Sequence, residues 1–475
     1  FSLIFYLNCK SIKLLFIDMT NQFHRIPNMF HSVFVLILLG SCSDSEDTVD
    51  TTAVQIVEIP VADKLPQVFV NTNGQEIPDE PKIIAEMSIE NKGELTYEGF
   101  IGIEIRGQSS QMFPKKQYGF ETRDSENEDL DVSLLGLPEE EDWILHAPYS
   151  DKSLIRNALI YDLSRDIGRY SSRLVFVELI LNNIYDGLYI LMEKLKRDKY
   201  RIDINKLKSS ENEGEDLTGG YILKLDKEDS YDQLNSFTSS IPPPNSTNNQ
   251  QISFVFDTPD EEDITDEQRN YIKSYINSFE TVLNSNQFSD TENGYSKYID
   301  VDSFVDFFIL NELSNNVDGY RLSTWLVKDK NELLSIGPIW DFNLAFGNAN
   351  YCGGGRYDVW AYKFNERCSD DFWQIPFWWN RFMEDPNFKS LLQQRWNTLR
   401  NNELSENIIL SKIDNYVSLF ESSGSGEANF RRWQILGEYV WPNEFIGGSY
   451  PEEINYLKDW ISNRLIWMDS KINTF

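Results

Sequence analysis

Histidine is almost missing from this 475-residue chain: His24, His31 and His146 are all it has. The first two fall in a stretch that reads as an export signal, so a processed chain would keep one. A single imidazole excludes a His-rich zinc site and leaves little room for Ser-His-Asp or Cys-His catalysis. Positive charge is also short. Lys and Arg number 43 against 76 Asp and Glu, a net charge of −33. Binding a nucleic-acid backbone needs clustered Lys and Arg, so that partner is excluded, and an anionic membrane surface is disfavoured. GxSxG, GxxxxGK[ST] and HExxH are all absent. If the chain is an enzyme, carboxylates, Lys and Arg must do its chemistry.

Long apolar runs are lacking too. Phe30 to Leu39 is about ten residues, short of the roughly 20 a membrane-spanning helix needs. It ends in Leu39-Gly40-Ser41-Cys42, which resembles a bacterial lipobox, with cleavage before a Cys42 that carries lipid. Residues 1–41 therefore read as a signal peptide with upstream residues, starting at Met19 or Met29. Residues 42–64 read as the lipidated cysteine and a flexible acidic tether. The acidic residues after Cys42 resemble the surface-export signal of Bacteroidetes lipoproteins. These features predict an exported protein, lipid-anchored to the cell envelope at the outer-membrane surface, that meets the membrane through its lipid alone. Of the four cysteines, Cys352 and Cys368 flank Gly353-Gly354-Gly355. An oxidising compartment permits a disulfide there; two buried thiols are the alternative.

Hydrophobic residues make up 41% and aromatics 14%, enough for a large core. The pattern from Leu65 is β. Gln67–Asn71 is a short strand, and Phe100–Arg106 and Lys116–Thr122 alternate as a hairpin. Asp151–Ile167 reads as a helix with Ser150 as N-cap and Gly168 as its stop. Val175–Leu181 and Leu188–Glu193 flank a turn over 182–187, and Gly219–Leu225 is a further strand. Residues 228–252, rich in Pro, Ser and Asn, read as an exposed loop. Helical patterns then dominate: a capping box at Thr265–Gln268, a helix at Asp302–Leu313 and a last one at Pro451–Ile472. The order predicts an α+β fold with two lobes, β-rich over about 65–227 and α-rich over about 253–475.

Four segments carry candidate chemistry. Arg106-Gly107-Gln108-Ser109-Ser110 is a loop without bulky side chains, suited to phosphate oxygens, with Lys116 on the next strand. Tyr149–Asn157 places Arg156 in an otherwise amphipathic helix. Asn315-Asn316-Val317-Asp318-Gly319-Tyr320 is a loop rich in oxygen ligands. Asp341 and Asn343 lie two apart after an apolar strand, so both oxygens can face one hard cation.

These segments, with FVELILNNIYDGLYILMEK, GGYIL, WQILGEYVWPN and YLKDWISNRLIWMDS, resemble the CotH family of kinase-like proteins from about Leu65 to Phe475. The resemblance implies an atypical protein kinase of distant bilobal kinase fold, using ATP and Mg²⁺ or Mn²⁺ to phosphorylate Ser on protein substrates. It gives Asp318 the catalytic-loop role, orienting the Ser hydroxyl or sharing the metal, and Asp341 the metal-binding role with Asn343 beside it. Asn343 stands where the family often has Asp, which removes a charge from the metal set. Arg106 and Lys116 would neutralise phosphate, with Glu193 as partner of the Lys. The alternative is a non-catalytic surface lipoprotein of kinase-like fold that binds protein or glycan. The aromatic cluster Phe372-Trp373 and Phe377-Trp378-Trp379 reads as core packing.

Overall fold

The computed structural model describes residues 64–227 and 235–475, together with the backbone of Ser2–Asn8 and Ser11–Ile17. Those two short segments, β1 (Ser2–Asn8) and β2 (Ser11–Ile17), pair antiparallel within a unit of their own. The lipobox and Cys42 lie outside the described residues.

Alternation of apolar residues makes the first half of the other unit a barrel. Its strands are β3 (Gln67–Asn71), β4 (Ile83–Asn91), β5 (Glu94–Arg106), β6 (Gln117–Arg123), β7 (Asp142–His146), β8 (Leu174–Leu181) and β9 (Ile184–Glu193). They close in the order β3-β4-β5-β6-β7-β9-β8, with β3 and β8 parallel. Ile101 and Ile103 sit opposite Thr122 and Phe120. With Val68, Ile89, Trp143 and Val177 they fill the interior, because every second side chain of a strand points the same way. Closure leaves no open strand edge, and it fixes the loop after β5 at one end of the barrel.

Two local expectations change. The turn between β8 and β9 is only Asn182-Asn183, with φ of 51° and 64°, and the strand resumes at Ile184. Asn tolerates this left-handed backbone, which a two-residue hairpin turn of this kind demands. Helix α1 (Arg156–Asp166) starts later than expected. Asp151 rather than Ser150 does the capping, its carboxylate accepting from the N–H groups of Ser153 and Arg156. Gly168, at φ +92°, follows the helix as expected.

A second sheet crosses the expected lobe boundary. Strands β10 (Tyr221–Leu225), β11 (Ser236–Thr238), β12 (Ser253–Thr258), β13 (Thr324–Lys328) and β14 (Ser335–Ile336) lie in the order β11-β12-β10-β13-β14. Thus β10, from the β-rich half, pairs with β12 and β13 of the α-rich half. Nor is 228–252 simply an exposed loop. Its described part contains β11, buries Phe237 against Phe254 and ties the Gln250 amide to the carbonyls of Ser369 and Asp371.

Helices α2 (Asp266–Leu283), α3 (Val301–Ser314), α4 (Phe364–Arg367), α5 (Trp378–Phe382), α6 (Pro386–Arg400), α7 (Glu406–Ser423), α8 (Ser425–Arg432) and α9 (Tyr450–Ile472) complete the chain. Helix α2 opens on the expected capping box. Helix α3 is buried along nearly its whole length, and α1, α6 and α9 pack around it. Trp378 and Trp379 are core, as their apolar neighbours suggested, whereas Phe372 is exposed. Asn429 of α8 links the halves: its Oδ1 accepts from Lys115 Nζ at 2.9 Å and from the Leu188 N–H at 3.1 Å. The architecture is mixed α/β, sheet-rich first and helical last. Among the described residues no helix is long and apolar enough to cross a membrane.

Candidate active site

A cleft of about 340 Å³ is lined by the loop after β5, the end of β10, the loop after α3 and the segment after β14. Each brings polar groups. From the β5 loop come Arg106, Gly107, Ser109 and Ser110, and from the end of β10 come Asp226 and Lys227. Asp318 follows α3, and Asp341 and Asn343 follow β14.

Asp341 stands at the centre of the electrostatics. Water reaches its carboxylate, yet protein crowds it on the cleft floor. Loss of hydration, then the charges of Asp318 and Asp226, push its pKa up to about 7, against the pull of Arg106 and Lys227. Burial lowers the Arg106 pKa while Asp341 raises it, and the guanidinium rests 5.7 Å from the Trp340 ring centre. Burial likewise raises the Asp226 pKa. Three carboxylates thus share one cleft, each adding to the cost of charging Asp341 or being crowded itself.

The backbone around Asp341 is held from α1. Asn157 Oδ1 accepts from the Phe342 N–H at 2.7 Å, Tyr161 Oη from the Asp341 N–H at 3.2 Å, and Arg156 Nε donates to the Ala345 carbonyl at 3.1 Å. The pleated-strand argument for Asp341 and Asn343 does not hold. Strand β14 stops at Ile336, and Asp341 has φ +62°. Both side chains still line the cleft, brought there by a turn rather than by a pleat.

Asp318 is fixed by two donors on one oxygen: Arg321 Nη2 at 2.6 Å and Tyr351 Oη at 3.2 Å. Its own N–H bonds Asn316 Oδ1. Asn315, in the left-handed region at φ 43°, ends α3. Its amide donates to the carbonyls of Gly353, Gly354 and Arg356. The loop bearing those carbonyls is closed by a Cys352–Cys368 disulfide with Cα atoms 5.7 Å apart.

Three expected site residues lie elsewhere. Lys116 is absent from the cleft lining and donates to the Gln111 carbonyl at 2.5 Å, closing its own loop. Glu193 is fully buried and accepts from Arg173 and Tyr170. Arg156 is buried and pairs with Asp151 at 2.5 Å, so it positions the Asp341 segment and does not face a phosphate. Sequence reading also passed over cleft residues. Asp226 and Lys224 occupy alternate positions at the end of an apolar strand, which was a legible signal. Lys224 pairs with Asp257 at 2.9 Å, and Lys227 lies 4.7 Å from the Trp373 ring centre. His146 sits in the wall, where burial and then Arg106 push its pKa down to about 3. It is neutral, its Nδ1 facing Gln117 Oε1 and its Nε2 facing the Asn157 amide. With Nδ1 as the donor, both contacts are satisfied and the imidazole is not a free base.

Residues 103–468 match the family model described as CotH kinase protein. The chain belongs to the CotH family. Curated proteins gave no match to the sequence. The CotH match runs from within β5 to within α9 and includes all four cleft-lining segments. Membership in CotH points to a kinase-like activity, and with it to a nucleotide and a divalent metal. Asp341, Asp226 and Asp318 with the Asn343 amide offer oxygen donors only, the type a hard cation takes, although among the described residues the carboxylates that stand close enough together to share an ion are those of Asp131, Glu140 and Glu141. Lost hydration and then the charges of Asp318 and Asp226 raise the Asp341 pKa, and a bound cation would offset all three.

Proposed function

We propose that this protein is an atypical Ser kinase of distant bilobal kinase-like fold, acting on exported or surface proteins with ATP and Mg²⁺ or Mn²⁺. One observation supports the reading above others. Three carboxylates and an Asn oxygen share a cleft with Arg106 and the small-residue loop Gly107–Ser110. Phosphoryl transfer asks for little else than positioning and charge neutralisation. Asp341, Asn343 and Asp226 would hold the metal, which when bound supplies positive charge to the phosphate oxygens. Arg106, the Ser109 and Ser110 hydroxyls and the loop N–H groups would face those oxygens from the opposite side. Asp318 would accept a hydrogen bond from the acceptor Ser hydroxyl and take its proton as the Ser oxygen bonds the γ-phosphorus and the bond from that phosphorus to the departing ADP oxygen breaks. Arg321 and Tyr351 keep its carboxylate aimed. Export, cleavage before Cys42 and lipid anchoring at the cell envelope belong to the same reading, and mature protein would begin at Cys42.

The test is transfer of radiolabel from ATP to a Ser-rich protein. Asp341→Ala is expected to abolish metal-dependent nucleotide binding. Asp318→Ala should retain binding and lose transfer by roughly two orders of magnitude, the scale of a positioned proton acceptor. Unimpaired transfer by Asp341→Ala would sink the reading.

A further inference from the structure

The two ends of the disulfide lead directly to Asp318. Tyr351 immediately precedes Cys352, and its hydroxyl donates to Asp318 Oδ1 at 3.2 Å. On the other arm, the Asp371 N–H bonds the Cys368 carbonyl at 3.1 Å, and the Asp371 carboxylate accepts from Arg321 Nη1 at 3.2 Å. Arg321 in turn donates to the same Asp318 oxygen at 2.6 Å. Arg367, next to Cys368, donates to the Cys352 carbonyl at 3.0 Å. Asn315 reaches from the end of α3 to the Gly353 and Gly354 carbonyls inside the cross-linked loop. One donor to Asp318, Tyr351, is thus carried by an arm that the disulfide joins, and the other, Arg321, which also donates to the Val317 carbonyl of its own loop, is braced from the far arm by Asp371.

We propose that the Cys352–Cys368 disulfide is a positioning device for Asp318, so that the transfer site is complete only in oxidised protein. The proposal rests on the kinase reading above. Reduction by a dithiol breaks one S–S bond. Two electrons and two protons pass to the cysteines, and the reductant leaves as its cyclic disulfide. The arms carrying Tyr351 and Asp371 then lose their covalent tie and keep only hydrogen bonds such as that of Arg367 to the Cys352 carbonyl, so the Tyr351 donor and the brace on Arg321 loosen. Arg106 and the Gly107–Ser110 loop stand on the barrel, remote in the chain from this cross-link, and keep their places. A protein built this way works in an oxidising compartment and is held back in a reducing one.

Oxidised and dithiothreitol-reduced protein are compared by amide hydrogen exchange and by transfer kinetics. Reduction should raise exchange over residues 315–322 by about tenfold or more while barrel strands β4–β6 keep their protection. It should lower kcat by about tenfold or more with the KM for ATP nearly unchanged, and reoxidation should restore it. Tyr351→Phe keeps the disulfide and should lower kcat in the same sense, without changing exchange over 352–368. Unchanged exchange over 315–322 after verified loss of the disulfide overturns the proposal. Protection lost evenly across the barrel overturns it too, because reduction would then have unfolded the protein generally. Absence of transfer in both states would defeat the kinase reading instead, and the exchange data would still decide whether the disulfide positions Asp318.

Discussion

Asp341 holds a proton more tightly than an ordinary carboxyl because partial loss of hydration among the crowding protein groups and two neighbouring carboxylates oppose its charge. Metal and proton compete for it. With its pKa at about 7, apparent Mn²⁺ affinity should climb with pH below that value and level off above it. The climb should be about tenfold per pH unit, as one released proton requires. Isothermal titration across the range measures it, and a flat profile would contradict the assignment. The same shift has a sign for stability. The folded protein keeps a proton that the unfolded chain gives up above 3.8, so this group's contribution is lost as pH rises through about 7. Asp226→Asn should lower the Asp341 pKa, move the affinity profile to lower pH and weaken the plateau, because it removes a repelling charge and leaves a neutral amide oxygen in place of a carboxylate ligand. Asp318→Asn separates the two effects, since it removes a repelling charge at a residue outside the proposed metal set.

At the scale of elements, the loop after β5 depends on Gly107. Its φ is +89°, and a Cβ there would sit 2.2 Å from Ser110 Oγ. The Ser hydroxyl could rotate away, but the left-handed backbone would still cost an L-residue about 1–2 kcal/mol. Gly107→Ala should therefore raise the KM for ATP with the barrel intact, measurable as a KM shift beside unchanged circular dichroism. The hairpin of β13 and β14 illustrates how far local pattern reaches. The apolar run Leu333–Ile339 does return the chain to the cleft, but only Ser335–Ile336 pairs as strand. Gly337, at φ +115°, takes the chain out of the ladder, and Tyr161 and Asn157 of α1 then hold it. Arg156 stood out in Tyr149–Asn157 as a charge within an otherwise amphipathic helix. What it binds is a backbone nearly 190 residues away, which no local rule reveals.

Across the whole molecule, the loop bearing Asp318 rests on a buried ion pair. Glu312 of α3 and Arg464 of α9 are fully buried and 3.2 Å apart. Glu312 also accepts from Tyr320 Oη and from the N–H groups of Ala361 and Tyr362. Arg464 donates in addition to the carbonyls of Glu312, Tyr357 and Val359. Arg464→Met should cost about 3–5 kcal/mol, because it leaves a buried carboxylate without its counter-charge. Urea unfolding monitored by tryptophan fluorescence tests this, and a cost within experimental error would show that Glu312 is satisfied by its N–H donors alone. The C-terminal helix, remote in sequence from every site residue, is in this sense part of the site's support.

What the sequence by itself determined was local. Period-two alternation marked β5 and β6, the Thr265–Gln268 box marked α2, and clusters of oxygen and small residues marked the RGQSS, NNVDGY and WDFN segments. Each depends on interactions within a few residues, so short-range chemistry suffices. The tertiary structure decided which cation and which carboxylate meet across the chain. Lys116 just precedes β6 and Asp226 just follows β10, yet Lys116 turns back to the Gln111 carbonyl and Asp226 lines the cleft. Barrel closure and the pairing of β10 with β13 set those directions. Whether a charged side chain reaches a site depends on the strand's neighbours and on which buried groups need a partner, and both are fixed only when distant segments pack.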